Sequence, residues 1–355
     1  MAKTLTLFIF FLFGIQAIAQ TNPESIGAIV KRAAENEFFE GTVLVAENGG
    51  ILYHQSFGFK DENQKAPISI NSRFGIASIT KLFTAIIILQ LVEEGEIQLS
   101  DSLNELLPDF KVPGGDRITV HHLLLHISGL PNENDAIYLA PTSPKEFVER
   151  TLENESHAFG EFNYANIDYV LQGLIIEKFD QKTWENSVQK RILEKLEMNE
   201  TGFLEKGNFP DDFAYTFSYN KDGVRKADPL FFIENFYAAG CMYSTAEDLL
   251  KLDQGLYSSE ILSNESKELM YKSYPEYNYS GYSVWTYNYP FSDSKPRLME
   301  RRGGILGANS VLIRMLESNK TIIILSNNNR FNPDSFGNTN SLKEALIIEL
   351  DKAVE

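Results

Sequence analysis

Stretches with strand character stand at both ends of this chain, and a long helix-rich stretch separates them. Near the start, GTVLVAEN (41–48) and ILYHQSFGF (51–59) are rich in β-branched and aromatic residues and flank Gly49-Gly50, a hairpin signal. Near the end, SGYSVWTYN (280–288), NSVLIRML (309–316) and TIIILSN (321–327) have strand length and content. No composition shift or linker falls near 80 or 270, where two independent domains would have to part. The order therefore predicts an α+β fold in which one sheet draws on both chain ends, about 38–60 and 280–327, with a helical subdomain of about 82–260 inserted between them.

The helices carry their own punctuation. Residues 24–36 read as a first helix, and Ser78 to Glu94 as a second that stops before Gly95, a good residue for a left-handed terminus. Apolar residues cover nearly every face of that second helix, which predicts burial all round. Ser143-Pro144-Lys145-Glu146 has the form of a capping box with proline in the first turn, and Ser244-Thr245-Ala246-Glu247 reads as another. Asn166–Phe179, Thr183–Met198 and Ser341–Ala353 complete the helical expectation. The polar stretch NNNRFNPDSFGNTN between the last strand and last helix is either a surface loop or a rim of a site.

Composition narrows the function classes. With 43% hydrophobic and 23% charged residues over 355 positions, the chain is globular, and its formal net charge of −17 gives no basic footprint for nucleic acid. At the N-terminus, Lys3, the apolar run Leu5–Ile15 and Ala17-Ile18-Ala19 form a secretory signal pattern over residues 1–19. The run is short of the roughly 20 apolar residues that a membrane span needs. Export to a periplasm or medium, with residues 20–355 as one mature domain and no stable membrane span, is the resulting expectation. Cys241 has no cysteine to pair with and sits among small apolar residues, which reads as a buried structural thiol. The five histidines include His122 and His126 at helical spacing, but no third ligand accompanies them, so no metal or other cofactor is expected.

Ser78-Ile79-Thr80-Lys81 is the candidate chemical centre. A serine hydroxyl needs a base to become a nucleophile, and residues three apart share a helical face, so Lys81 is set beside Ser78. Lys81 serves either as a neutral base, favoured by burial, or as a cation that stabilises another base. Its surroundings, FGIASITKLFTAIIILQLVEEGEIQLSDSL, are followed by ITVHHLLLHISGLP (118–131). Together these segments resemble the nucleophile region and the following scaffold segment of class C β-lactamases and low-molecular-mass penicillin-binding proteins. Tyr164-Ala165-Asn166 resembles that family's Tyr-x-Asn element, with Ala165 where serine is usual. YAAGCMYSTAEDLLKL (237–252) and SGYSVW (280–285) match two further segments, the latter with Ser283 where glycine is usual.

The resemblance implies a β-lactamase/transpeptidase-like fold: an antiparallel sheet flanked by terminal helices plus an all-helical subdomain. It implies an acyl-enzyme reaction on a small-molecule or peptide substrate (a D-Ala-type peptide, a β-lactam or an ester). Ser78 is then nucleophile, with Lys81 and Tyr164 moving its proton. Asn166 binds Lys81 or the substrate's acyl side, and His126, Ser128 and Gly129 shape the scaffold. The family's third element, Lys-Thr-Gly or His-x-Gly, is Arg301-Arg302-Gly303 here, continued by Gly304. Arg301 keeps a cation for a substrate carboxylate but cannot relay a proton. Gly303 and Gly304 permit close substrate approach, with oxyanion donors expected at the Ser78 and Gly304 backbone N–H groups. A binding protein with slow or no turnover is the alternative that Arg301 motivates. The sequence leaves oligomeric state open.

Overall fold

The computed structural model describes residues 22–36, 39–61 and 63–352. The signal-peptide stretch lies outside the described residues, as does Ala353 at the end of the closing helix. Six antiparallel strands form the main sheet in the spatial order Gly50–Phe57, Gly41–Glu47, Lys320–Ser326, Ala308–Met315, Arg297–Ile305, Trp285–Asn288. The two chain ends meet at its centre, where Val43 pairs with Ile324 and Ile324 with Val311. This is the sheet expected from both termini.

Alternation along the central strands divides the core into two layers. Val43, Val45, Ile322 and Ile324 face the terminal helices Pro23–Asn36 and Leu342–Asp351, packing on Ile26, Val30, Leu346 and Ile347. Leu44, Ala46, Ile323 and Leu325 face the opposite way into the larger core around helix Thr80–Glu93. That helix is buried at every position from Thr80 to Leu91 and stops at Glu94, with Gly95 in the left-handed region (φ 74°).

Several expectations shift in detail. Ser78 is not in the α-helix: Ala77–Ile79 form a 3-10 turn ahead of it, entered through Ala77 at φ 46°. The second capping motif is displaced by one residue. Ser244 ends a short strand, and Thr245 caps helix Ala246–Tyr257 by accepting from Asp248 N–H. The expected strand over 280–288 begins only at Trp285, because Ser283 is left-handed (φ 65°) and breaks the extended run; a glycine adopts that conformation without strain. Thr183–Met198 is helix only over Trp184–Val188 before widening into a π-type turn at Gln189–Leu193. The inserted part is not all helical. A three-stranded ladder of Phe74–Gly75, Met242–Ser244 and Gly202–Phe203, and a hairpin of Phe217–Tyr219 with Arg225–Ala227, brace it against the site.

Candidate active site

Four chain segments converge on Ser78. The 3-10 turn presents its side chain, and the first turn of the following helix puts Lys81 below it, with Lys81 Nζ 3.2 Å from Ser78 Oγ. Lys81 is fully buried, and Nζ also donates to Asn166 Oδ1 (2.7 Å) and to the Ala239 carbonyl (2.8 Å). Three acceptors around one nitrogen match the three donors of an ammonium. Burial pulls the Lys81 pKa below the usual lysine value, opposed by the neighbouring Tyr164 phenol.

Tyr164 precedes helix Asn166–Asp180, and its carbonyl accepts from Asn132 Nδ2 (2.9 Å). Its ring lies 4.3 Å from that of buried His126 and is stacked near Trp285 at 6.4 Å. Burial alone raises a phenol's pKa. Here the charges of Arg301 and Lys81, with hydrogen bonds to Lys81 and Ser78, outweigh it and lower Tyr164 to about 8. The phenolate is therefore within reach near neutral pH.

Arg301 corrects an expectation. It is only 1% exposed, its Nε donates to the Ser78 carbonyl (2.7 Å), and its Nη2 donates to Tyr164 Oη (2.9 Å). A guanidinium turned inward in this way polarises Tyr164 rather than standing open for a substrate carboxylate. The cation on the cleft wall is the next residue, Arg302, whose guanidinium lies 4.7 Å over Trp285 and pairs with Glu300 and Asp334. Strand alternation explains the exchange, since consecutive side chains point to opposite faces.

Gly303 allows the site strand to close on the nucleophile turn. A Cβ there would meet the Ile76 carbonyl oxygen at 2.2 Å and the Ser78 nitrogen at 3.2 Å. Gly304 is exposed beside it. Both glycines line a cleft of about 360 Å³ with Ser78, Tyr164, Trp285 and Arg302. Asn332, Pro333 and Asp334 close its far side, so part of the polar 327–340 stretch is a rim of the site.

With this geometry in view, sequence comparison is decisive. The profile of the Beta-lactamase family matches residues 27–346. The chain belongs to the beta-lactamase family. It is 30% identical over 334 residues to a penicillin-binding protein of Bacillus subtilis (strain 168), covering 87% of this chain and 72% of that protein. It is 27% identical over 308 residues to the teichoic acid D-alanine hydrolase of Staphylococcus aureus (strain MRSA252), covering 84% and 72%. The octameric penicillin-binding protein homologue of Pyrococcus abyssi superposes with a TM-score of 0.79 at 27% identity, over 94% of this chain and 78% of that one. The hydrolase among these relatives and the family match support a serine hydrolase in general.

In this beta-lactamase-family chain the scaffold histidine is buried away from solvent. His126 Nδ1 lies 2.8 Å from Asp168 Oδ2, and Ser128 Oγ donates to Asp168 Oδ1 (2.6 Å). Burial disfavours charge on both partners, lowering His126 and raising Asp168. Among the described residues no cluster of histidine, cysteine and carboxylate groups could hold a metal ion, and no helix is long and apolar enough to cross a membrane. Cys241 is buried, and burial raises its thiol pKa.

Glu133 is a participant that sequence reasoning missed. Its Oε1 accepts from Asn166 Nδ2 (2.6 Å) and from the Tyr138 hydroxyl (2.6 Å), which fixes Asn166 with its oxygen toward Lys81. Its place two residues after the Ser-Gly-Leu-Pro stretch was visible, but nothing local marked its partner as Asn166.

Proposed function

We propose that this protein is an exported serine hydrolase that forms an acyl-enzyme at Ser78 on an ester, β-lactam or D-Ala-type amide. The observation that carries the reading is the contact set around one hydroxyl: Lys81 Nζ at 3.2 Å, with Tyr164 held by Arg301 and lowered to about 8. Tyr164, as phenolate, accepts the Ser78 proton while Oγ attacks the carbonyl carbon. Lys81 stays an ammonium and stabilises the phenolate. The oxyanion is held by the Ser78 and Gly304 backbone N–H groups. As the tetrahedral adduct collapses, Tyr164 returns the proton to the leaving oxygen or nitrogen. Water, deprotonated by the same phenolate, then releases the acyl group and regenerates Ser78.

Export rests on the N-terminal signal pattern and agrees with the cell-wall names of the relatives. A D-alanyl ester is a natural first substrate to try, since one relative is a teichoic acid D-alanine hydrolase. The second reading, a binding protein with little turnover, draws on Arg301, which takes the place of a proton-relaying lysine or histidine. Steady-state hydrolysis of a chromogenic acetyl ester and of a D-alanyl ester, with Lys81→Ala alongside, separates the two. Turnover lost by on the order of 10²-fold or more in the variant supports the hydrolase. Stoichiometric acylation of the native protein without turnover supports the binder.

A further inference from the structure

Charge in the cleft beside Ser78 is confined to one pair of side chains. Among the described residues that line it, Arg302 is the one cation and Asp334, on the rim, the one carboxylate. Lys81 and Arg301 are buried and do not line it. The two lining charges are joined. Arg302 Nη1 donates to Asp334 Oδ1, and Arg302 Nε donates to Glu300 Oε1 (2.8 Å). The flat face of the guanidinium covers Trp285 at 4.7 Å. A guanidinium fork suits the carboxylate of a ligand, but this one already holds two carboxylates of its own chain.

The arrangement is braced from within. Glu300 is fully buried and also accepts from Lys343 Nζ (2.8 Å) and from the Tyr287 hydroxyl. Burial works to raise the Glu300 carboxyl, but the charges of Lys343 and Arg302 outweigh it and hold it below the usual carboxylate value. It therefore stays ionised and keeps Arg302 in place. The same Lys343 Nζ donates to the Pro333 carbonyl (2.8 Å), and the Asp334 N–H donates to Asn332 Oδ1 (2.9 Å), which fixes the rim next to Arg302. Lys343 also lies 3.2 Å from Glu344. Arg302 and Lys343 thus face Glu300, Asp334 and Glu344, so acid is in excess along this wall.

We infer that Asp334 is a specificity-determining residue: by occupying Arg302 it closes the cleft to leaving groups that carry a carboxylate, so the substrates are esters or amides whose departing part is uncharged or cationic. The inference rests on the acyl-enzyme reading. Tyr164, which returns the proton to the departing group, lines the same cleft, so that group is the part of the substrate that meets Arg302 and Asp334. A carboxylate there must displace Asp334 from a pair already made, or stay beside it unpaired. A hydroxyl or an ammonium meets no such conflict. The Asp334 side chain is 69% exposed, and a carboxylate has acceptor capacity for such a donor besides Arg302. Among the three bond types proposed above, this sets an ester of a neutral alcohol ahead of a C-terminal D-Ala peptide or a penicillin, both of which carry a carboxylate on the side of the departing nitrogen.

The test is a pair of acetate esters, 4-acetoxybenzoate and methyl 4-acetoxybenzoate, with each kcat/KM divided by that ester's rate of hydrolysis by hydroxide. The acyl group is constant, so the quotient reports the leaving side. The native protein favours the methyl ester by on the order of 10- to 100-fold, the scale of one hydrogen bond to a charged group. Asp334→Asn frees Arg302 and raises the anionic-to-neutral ratio by at least about 10-fold, and adding Arg302→Gln removes that gain. A native protein that takes both esters equally well, a ratio unmoved in Asp334→Asn, or a gain that survives the loss of Arg302 overturns the inference and leaves the hydrolase standing. Calorimetric titration of Ser78→Ala with benzoate reads the wall without chemistry. Benzoate binding that appears only when Asp334→Asn is added supports the inference even if no ester is turned over, an outcome that would sink the hydrolase alone. Equal benzoate heats with and without Asp334→Asn overturn it.

Discussion

Replacing Arg301 by glutamine isolates the electrostatic part of the mechanism. The guanidinium lies 2.9 Å from Tyr164 Oη and is nearly fully buried, so its charge acts at short range in a poorly solvated setting. A unit charge about 4 Å from a phenolate, at an effective dielectric near 20, is worth about 4 kcal/mol, an upper figure for the loss. At about 1.4 kcal/mol per pKa unit, that is about 3 units. Glutamine still offers an N–H donor and relaxation recovers some of the rest, so we expect about half, a rise of about 1.5 units. Tyr164 is an acid whose folded pKa is lowered to about 8, so activity that needs the phenolate rises with pH through that value. In Arg301→Gln the rising limb moves to about 9.5, and at pH 7 the phenolate fraction and kcat/KM fall roughly 30-fold. Above the new pKa the variant recovers most of the native rate. The assay is the pH profile of kcat/KM for an activated ester, with circular dichroism confirming the fold. A limb that stays near 8, or an equal loss at every pH, would refute the assignment of Arg301 as the group that tunes Tyr164.

Gly303→Ala drives a Cβ into the Ile76 carbonyl, so the site strand must separate from the nucleophile turn. We expect a stability loss of about 1–3 kcal/mol in urea unfolding, with ester turnover nearly abolished in the folded fraction. Asp253→Ala strands the buried Arg314, whose Nε donates to Asp253 Oδ1 (2.6 Å), and removes the acceptor of Thr321 Oγ1 (2.6 Å). That should cost about 3–5 kcal/mol in the same unfolding measurement, and native-like stability would show the pair to be dispensable. Asp168→Ala leaves His126 Nδ1 and Ser128 Oγ without their shared partner, at about 1–3 kcal/mol for each buried group. Since His126 packs on Tyr164, kcat should fall with stability in that variant, and an unchanged kcat would separate the scaffold from the reaction.

Patterns of short range were legible in the sequence. The hairpin, the buried nucleophile helix with its Gly95 stop and the long strands 309–316 and 321–327 follow from residue type and spacing alone. The approach of Lys81 to Ser78 follows from three-residue spacing, and Lys81 is one of the two partners that the family resemblance implies for Asn166. What the sequence did not display was set by long-range packing. Ser78 left the α-helix because the Ile76 N–H is engaged by the Met242 carbonyl, which fixes the approach of the chain before the helix begins. Arg301 turned inward because the nucleophile turn and Tyr164 offer it two oxygen acceptors, neither near it in sequence. Glu133 gained its place through Asn166, 33 residues later. The 280–284 segment lost strand geometry at a single left-handed residue, Ser283, where the departure from the usual glycine had itself been visible.

The most direct test of the central claim is intact-mass spectrometry of the purified chain after exposure to a fluorophosphonate and, separately, to a penicillin, with Ser78→Ala run in parallel. The account predicts a single fluorophosphonate adduct on the native protein that is absent from the variant, and any penicillin adduct must vanish with it. A folded native protein that takes up neither probe, or an adduct that persists in Ser78→Ala, would contradict Ser78 as the activated nucleophile.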